Sequence, residues 1–376
     1  MLLSAALIVR NEAAFLDTCL ASLDGLVDEI VVVDTGSTDD SVAIAHRHGA
    51  RVAHQAWTQD FASARNCSLD LASGDWILYI DADERVRPGD HSLAREWLEH
   101  AGDCVAGLVR FVPRVDWTPY REYRLWRNRP DLRFRGAMHE SIVSAVTRAA
   151  KQDGLRIAPF DLVTIEHFGY EGDQSVKFAR DEPMLLAEIE QLPERAYLYD
   201  HLARIYEAQG DSKRAVATWR QGIAVARARN SMRREDLLVY VNLIIHLLTA
   251  DLVDGEVAGL LDEALAAFPR TPTLELAAAR HELATGRAAV AAERVEWLVS
   301  FDPDDLIDDN SYDRRVFGEW AWELLGRCRF ALGDDAGAAD AFAHAEHAAP
   351  DTDAYRVQRR LADARARRPP TSGSGS

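Results

Sequence analysis

The chain has 376 residues, 48% of them hydrophobic and 28% charged, which is enough apolar material for more than one folded core. Its 61 acidic residues outnumber its 43 basic residues, so neither a general nucleic-acid surface nor an anionic-membrane surface is expected. No apolar stretch approaches the roughly 18 residues that a membrane-spanning helix needs. The four cysteines are scattered without a CxxC pair, which argues against structural zinc and favours a reducing cytoplasm.

The first third of the chain alternates predicted strands and helices. An apolar run at residues 3–9 predicts a buried first strand, and the spacing at residues 12–23 predicts a helix with Asn11 as its N-cap. Strands and helices then alternate at residues 29–33, 41–48, 51–54, 61–72 and 76–80, with Asp60 as the N-cap of the last helix. This order is typical of an α/β fold with a mostly parallel sheet and right-handed crossovers.

Three carboxylates, Asp81, Asp83 and Glu84, directly follow the strand predicted at residues 76–80. Ligands of open α/β sheets bind at the carboxyl ends of strands. Hard carboxylate oxygens at that edge can hold a divalent cation, which can in turn hold a diphosphate. Asp34 ends another predicted strand and can accept a hydrogen bond from a nucleobase, while Arg65 can grip phosphate. The pattern therefore favours a nucleotide site at this edge.

These motifs resemble family 2 glycosyltransferases of the GT-A fold. The resemblance covers about the first 90 residues. It is carried by Ile8-Val9-Arg10-Asn11-Glu12, Asp34-Thr35-Gly36-Ser37-Thr38-Asp39, Asp60-Phe61, Ala64-Arg65-Asn66 and Asp81-Ala82-Asp83-Glu84. The subgroup it most resembles carries tetratricopeptide-like repeats behind the catalytic domain and includes the sublancin-type peptide S-glycosyltransferases.

The resemblance implies an inverting transfer from a nucleoside-diphosphate sugar, with a UDP-sugar favoured. It implies Mg²⁺ or Mn²⁺ on Asp83, with Asp81 nearer the ribose or the metal. The implied donor-binding residues are Val9, Arg10, Glu12, Asp34, Arg65, Asp81, Ala82 and Asp83.

An inverting displacement needs a base that takes the acceptor's proton. Beyond the carboxylates, residues 123–128 and 134–140 resemble the subgroup's RLFRN-like run followed by a G-x-x-H-E motif. We predict Glu140 as the base, with His139 orienting it or touching the diphosphate. The alternative is that this pair is simply a polar loop or strand edge.

A second histidine, His167, lies in an I-x-H-x-G-Y pattern that the subgroup shares. The resemblance implies that it completes the metal shell, and a neutral imidazole suits that role. The alternative is a partly buried histidine bonded to the backbone. Five more charged residues are candidates for contact with acceptor or phosphate, and the alternative is that they are ordinary solvated charges. They are Asp116, Glu122, Arg124, Arg127 and Arg129.

After Tyr170 the pattern is helical only. A helix is expected to begin at Pro183 and stop at Pro193, and the spacing of small and aromatic residues that follows is typical of tetratricopeptide repeats. The predicted domains are an α/β GT-A domain at residues 1–173, an all-α repeat domain at 174–368 and a flexible tail at 369–376.

The acceptor and the role of the repeats stay open at this level. A peptide or protein side chain, a carbohydrate and a lipid-linked group are all compatible acceptors, and the repeats suit an acceptor peptide or a second copy in a homodimer.

Two other classes of protein are alternatives to a glycosyltransferase. A nucleotidyltransferase should show a Gly-rich phosphate loop where Arg10-Asn11-Glu12 stands, and a non-catalytic repeat scaffold should ignore sugar nucleotides.

Overall fold

The computed structural model describes residues 1–138, 140–169, 175–229, 231–253, 255–303 and 310–367. These residues form two compact units. The first is Met1–Lys177 with a short segment that ends at Ser311, and the second takes the other described residues from Phe178 onward. The predicted boundary between residues 173 and 174 and the predicted tail at 369–376 lie outside the described residues.

The first unit is built on one eight-stranded sheet in the order β3-β2-β1-β4-β7-β6-β8-β5. Four of the seven neighbouring pairs are parallel, which confirms the mostly parallel α/β fold. The strands are β1 (Leu3–Val9), β2 (Glu29–Asp34), β3 (Arg51–His54), β4 (Trp76–Tyr79), β5 (Glu84–Val86), β6 (Cys104–Val112), β7 (Tyr120–Arg127) and β8 (Arg156–His167). The helices are α1 (Ala13–Ala21), α2 (Ser41–Arg47), α3 (Phe61–Leu71), α4 (Ser92–His100) and α5 (Val143–Asp153).

Strand β1 is buried on both faces of the sheet. Leu3 and Leu7 lie in one core cluster with residues of α1, whereas Ala6 lies in a second cluster on the opposite face with residues of α3 and α5. Because side chains alternate along a strand, a strand buried on both faces is apolar at most positions, and in β1 the polar exception is the buried Ser4. The mostly apolar run therefore predicted this strand correctly.

The two predicted helix caps have different outcomes. Asp60 caps α3 as expected, because its Oδ1 accepts the N–H of Ser63 at 2.9 Å. The prediction for Asn11 is wrong: it has a left-handed φ of 57°, and its Oδ1 accepts the N–H of Thr38 at 2.7 Å. The first N–H of α1, on Ala13, is instead accepted by Asp39 from the loop after β2, at 3.0 Å.

The second unit is helical, with α6 (Ser175–Gln191), α7 (Ala196–Ala208), α8 (Ser212–Arg227), α9 (Leu237–Thr249), α10 (Gly255–Ala267), α11 (Pro272–Ala284), α12 (Ala288–Val299), α13 (Glu319–Ala331), α14 (Asp335–Ala348) and α15 (Asp353–Ala366). A Cβ on Gly326 would lie 2.5 Å from the ring of Phe342, so α13 and α14 need glycine where they cross. This close packing of paired helices confirms the predicted repeats. Pro183 is a correction, because it lies inside α6 and not in a first turn.

No helix in the described part of the chain combines the length and the apolar character needed to cross a bilayer. All four cysteines carry free thiols, and three of them are buried.

Candidate active site

The carboxyl ends of β1, β2 and β4 lie side by side, and most of the predicted residues gather there. Val9 is paired with Asp34 in the β1–β2 register, and Ala6 is paired with Tyr79 in the β1–β4 register. Val9 and Ala82 are buried, whereas Arg10 is exposed just beyond β1. The topology thus places the predicted nucleobase and carboxylate positions on one edge.

Asp34 supports the turn that leaves this edge. Its carboxylate accepts the N–H groups of Gly36 at 3.2 Å and Ser37 at 3.1 Å. Nδ1 of His54, at the end of β3, lies 3.2 Å from Asp34 Oδ2. Burial acts to raise the pKa of Asp34, but these hydrogen bonds outweigh it and the pKa is lowered. His54 was not predicted as a site residue, although its place at the end of a neighbouring parallel strand was a usable signal.

Arg65 is the centre of a buried charge network. Its NH1 donates to Asp81 Oδ1 at 2.9 Å, its Nε donates to Glu140 Oε1, and its guanidinium lies 4.3 Å from the centre of the Tyr79 ring. Burial disfavours the charge, but the surrounding carboxylates more than compensate, so the pKa of Arg65 is raised and it stays protonated. The predicted base, 75 residues further along the chain, is therefore joined to the predicted donor site.

Asp81 has both carboxylate oxygens engaged. Oδ1 accepts from Arg65, and Oδ2 accepts the hydroxyl of Tyr79 at 3.0 Å. Burial acts to raise the pKa of Asp81, yet Arg65 and Arg124 lower it to about 2, so the group is ionised at neutral pH. Tyr79 was missed in the sequence, although it stands two residues before Asp81 and shares its face in an extended chain.

Glu84 and Arg124 form a fully buried ion pair beneath this network. The guanidinium reaches the carboxylate at 2.8 and 3.1 Å, and Glu84 Oε2 also accepts the N–H of Asp81 at 2.8 Å. Arg124 further donates to Glu122 at 2.7 Å and lies over the Tyr79 ring at 4.3 Å. Arg124 is therefore held within the fold, whereas a contact of Glu122 with acceptor or phosphate stays a prediction.

Replacing Arg124 with Met should lower the free energy of unfolding by about 3–5 kcal/mol, because Glu84 would be left buried without its cation. Arg124 is 5% exposed and Glu84 is 2% exposed, so water cannot replace the lost partner. Denaturant unfolding measures the change. The matched control is Arg87→Met, which breaks the more exposed pair with Glu166 and should cost less than about 1 kcal/mol. Equal losses in both variants would contradict the buried role.

The other predicted arginines also act within the fold. Arg127 donates to the carbonyls of Ala101 and Cys104 and lies over the Trp76 ring. Arg129 pairs with Asp131 and Asp153. Asp116 is exposed in a loop with a left-handed φ of 62°. Arg127 and Arg129 therefore have partners within the fold, and their contact with acceptor or phosphate stays a prediction.

Asp83 and His167, 84 residues apart, meet beside this network. His167 Nε2 lies 3.0 Å from Asp83 Oδ2, and the β5–β8 register and the bond from Phe168 N–H to the Asp83 carbonyl hold them there. His167 Nδ1 lies 3.1 Å from the carbonyl of Pro113, which leaves Nε2 as the ring nitrogen that faces Asp83. Burial acts to lower the pKa of His167, but the contact with Asp83 and the charge of Glu84 raise it.

Gly169 packs so closely against this pair that a larger residue does not fit there. A Cβ there would lie 1.8 Å from Asp83 Oδ2 and 2.8 Å from His167 Nε2. A carboxylate oxygen and an imidazole nitrogen are suitable ligands for Mg²⁺ or Mn²⁺, which commonly take further oxygens from substrate phosphates and water. Among the residues that the structure describes, no group of three or more acidic, histidine or cysteine side chains is arranged around a metal position. The pair therefore supplies two ligand atoms of the kinds that such a cation takes.

Replacing Gly169 with Ala should weaken Mn²⁺ binding by roughly 10- to 100-fold, since the new methyl group would push the two predicted ligands apart. Titration followed by the paramagnetic resonance of free Mn²⁺ measures this change. The control is Gly102→Ala, where a Cβ meets no atom within 4 Å. Unchanged affinity in Gly169→Ala would contradict the assignment of the pair.

Glu12 lies near the same acidic groups. Burial, and then the charges of Asp83 and Asp81, raise the pKa of Glu12 to about 7. His139 lies outside the described residues, and the metal role of Asp81 stays a prediction because its oxygens contact Arg65 and Tyr79. The structure therefore brings Asp83 and His167 together as one pair, and Arg65, Asp81 and Glu140 together as a network.

Comparisons with known proteins find a family match in the N-terminal part of the chain. Residues 4–155 match the model of glycosyl transferase family 2. The chain is 34% identical to a TPR repeat-containing protein of Synechococcus elongatus over 270 residues, which are 70% of this chain and 65% of that relative. It is 30% identical to the SPbeta prophage-derived glycosyltransferase SunS of Bacillus subtilis over 145 residues, 37% of this chain and 34% of SunS. It is 43% identical to an uncharacterized glycosyltransferase of Rickettsia felis over 84 residues, 22% of this chain and 29% of that relative.

The fold and the motifs define an α/β domain of the GT-A class followed by tetratricopeptide-like helical repeats. The match to glycosyl transferase family 2 lies in this N-terminal domain, at residues 4–155. It spans about two thirds of the length of the first relative and about one third of the other two.

Proposed function

We propose that the chain is a metal-dependent, inverting glycosyltransferase that uses a nucleoside-diphosphate sugar, with a UDP-sugar favoured. The observation that carries the proposal is the meeting of Asp83 and His167 at 3.0 Å beneath Gly169, at the edge where the family motifs end. A divalent cation held by this pair would neutralise the negative charge that develops on the leaving diphosphate.

The neighbouring residues would bind the rest of the donor. Val9 and Asp34 would contact the nucleobase, because they lie opposite each other at the ends of β1 and β2. Arg10, exposed beyond β1, and Arg65 would contact phosphate oxygens, and Glu12, Asp81 and Ala82 would line the same site. To do so, Arg65 would exchange one of its hydrogen bonds to Asp81 or Glu140 for a hydrogen bond to the diphosphate.

Glu140 would act as the base on the acceptor. It is 10% exposed and accepts from Arg65, so the ion pair holds the carboxylate in one orientation while its second oxygen can take a proton. His139, its neighbour in the chain, belongs to the same proposal as an orienting group.

The acceptor would be a peptide or protein side chain. The helical unit contains a cavity of about 370 Å³ between α8, α9 and α10. Its walls combine apolar Ile223, Leu243 and Leu260 with charged Arg220, Arg227 and Glu256, a mixture that suits an extended peptide better than a lipid chain. Carbohydrate and lipid-linked acceptors are the alternatives that an acceptor screen would distinguish.

The function is tested by incubating the chain with UDP-, GDP- and dTDP-sugars, Mn²⁺ and panels of peptide, carbohydrate and lipid-linked acceptors. Release of nucleoside diphosphate together with a glycosylated acceptor is the expected result, and the anomeric configuration of the product, read by NMR, should be inverted. Retention would contradict the inverting mechanism, and release of a sugar 1-phosphate would indicate a nucleotidyltransferase. No turnover with any donor would favour a binding role for the repeats.

A further inference from the structure

Helix α15 carries an apolar face that the described residues of its own unit leave exposed. Tyr355 and Ala362 of this helix are buried, and the Tyr355 hydroxyl donates to Glu319 of α13 at 2.6 Å. On a different face, four apolar residues are exposed, and we call them the α15 stripe: Ala354, Val357, Leu361 and Ala364. Val357 is 63% exposed and Leu361 is 54% exposed. Large aliphatic side chains grouped in this way usually mark an interaction surface.

The spacing of the α15 stripe fits a second copy of itself. Its residues are separated by three, four and three positions, which is the a/d spacing of a helix-on-helix seam. This series reads the same in both directions. When two α15 helices run antiparallel about a twofold axis, Ala354 faces Ala364 of the second copy and Val357 faces Leu361. A twofold interface requires this self-complementarity, because the same surface is used on both subunits.

The charges beside the α15 stripe support the same arrangement. In the antiparallel pairing Asp353 lies opposite Arg367 of the second copy at both ends of the seam, giving two contacts of opposite charge. Asp353 is 81% exposed and pairs within its helix only with Arg356, three residues away. Arg360 lies beside the twofold axis and faces Arg360 of the second copy, which gives one contact of like charge. Two attractive contacts and one repulsive contact leave a net preference for the antiparallel pair.

We propose that the α15 stripe is the interface of an antiparallel homodimer. The proposal depends on the second unit alone and holds whether or not the first unit transfers a sugar. The proposal also predicts the direction of a change in dimer affinity. Arg360→Gln removes the one repulsive contact, so this variant should dimerise several-fold more tightly than the wild-type chain in light scattering.

Disulfide capture tests the geometry. Arg360→Cys places two thiols beside the twofold axis, so mild oxidation should link the chains at least roughly tenfold faster than in Arg356→Cys, whose thiol lies away from the seam. The wild-type chain gives the background from its own cysteines, which are buried or half-buried. Cross-linking of Arg360→Cys no faster than of Arg356→Cys would overturn the proposal.

A second pair of variants tests the apolar contacts. Val357→Glu with Leu361→Glu, added to Arg360→Cys, should abolish the cross-link and give a monomer in light scattering. The matched control, Leu332→Glu, alters a residue of the same unit that is 53% exposed and should leave the dimer intact. Circular dichroism confirms that each variant is folded, and if the double variant is not, the comparison of the two cysteine variants decides alone. A wild-type chain that is monomeric at every concentration would also overturn the proposal.

Discussion

Replacing Asp83 with Asn should lower kcat/KM for glycosyl transfer by about 10³-fold or more, because the predicted metal site would lose its anionic ligand. Asp83 is the carboxylate that faces His167 Nε2. The other carboxylate of the motif, Asp81, already accepts hydrogen bonds from Arg65 and Tyr79. Asparagine keeps the shape of the side chain, so the melting temperature should change little. The measurement is kcat/KM together with the affinity for UDP in the presence and absence of Mn²⁺.

The control for this substitution is Asp24→Asn, an exposed acid of the same unit that is expected to be silent. UDP binding to Asp83→Asn should lose its dependence on Mn²⁺, whereas Asp24→Asn should keep it. Full activity in Asp83→Asn, with Mn²⁺ dependence intact, would show that the cation is held elsewhere.

Replacing Glu140 with Gln should reduce kcat by about 10²- to 10⁴-fold while leaving the affinity for UDP within a few-fold of wild type. The amide oxygen of glutamine can still accept from Arg65 Nε, so the pair between Arg65 and Asp81 should persist. Only the ability to take a proton is lost. Single-turnover kinetics and calorimetric binding of UDP separate these two effects.

The matched control is Asp161→Asn, because Asp161 also accepts from an arginine, Arg121, in the same unit. That variant should transfer sugar normally. Unchanged turnover in Glu140→Gln would exclude Glu140 as the base. A variant that loses UDP binding and turnover together would instead assign Glu140 to holding Arg65.

The parts of the fold that sequence could predict depend on local signals. Apolar runs of strand length located β1 and β2, and Asp60 was recognisable as a cap because it bonds to Ser63 in its own first turn. The start of α1 was mispredicted because its caps come from beyond β2, where Ser41 at the start of α2 and Asp39 in the preceding loop accept the N–H groups of Glu12 and Ala13. No local pattern encodes a cap supplied from 26 to 29 residues away.

The candidate site shows the same division. Asp81 and Asp83 were visible as acids that follow a buried strand. The proximity of His167 to Asp83 was implied by family resemblance alone, because it arises from the pairing of β5 with β8. Arg124 was misjudged because it lies in a stretch rich in charged residues, which is typical of a protein surface. Only the tertiary structure shows it buried against Glu84. Burial of a charged residue depends on partners that are distant in the chain.

The central claim is that the pair of Asp83 and His167 holds a divalent cation that binds a nucleoside diphosphate. Thermal unfolding of the wild-type chain with UDP and Mn²⁺, separately and together, tests it most directly. At ligand concentrations near 100 times the Kd, bound UDP should stabilise the fold by about 2.7 kcal/mol, a rise in Tm of roughly 5–10 °C that requires both components. An equal shift with UDP in EDTA, or no shift with any nucleoside diphosphate and Mn²⁺, would contradict the claim.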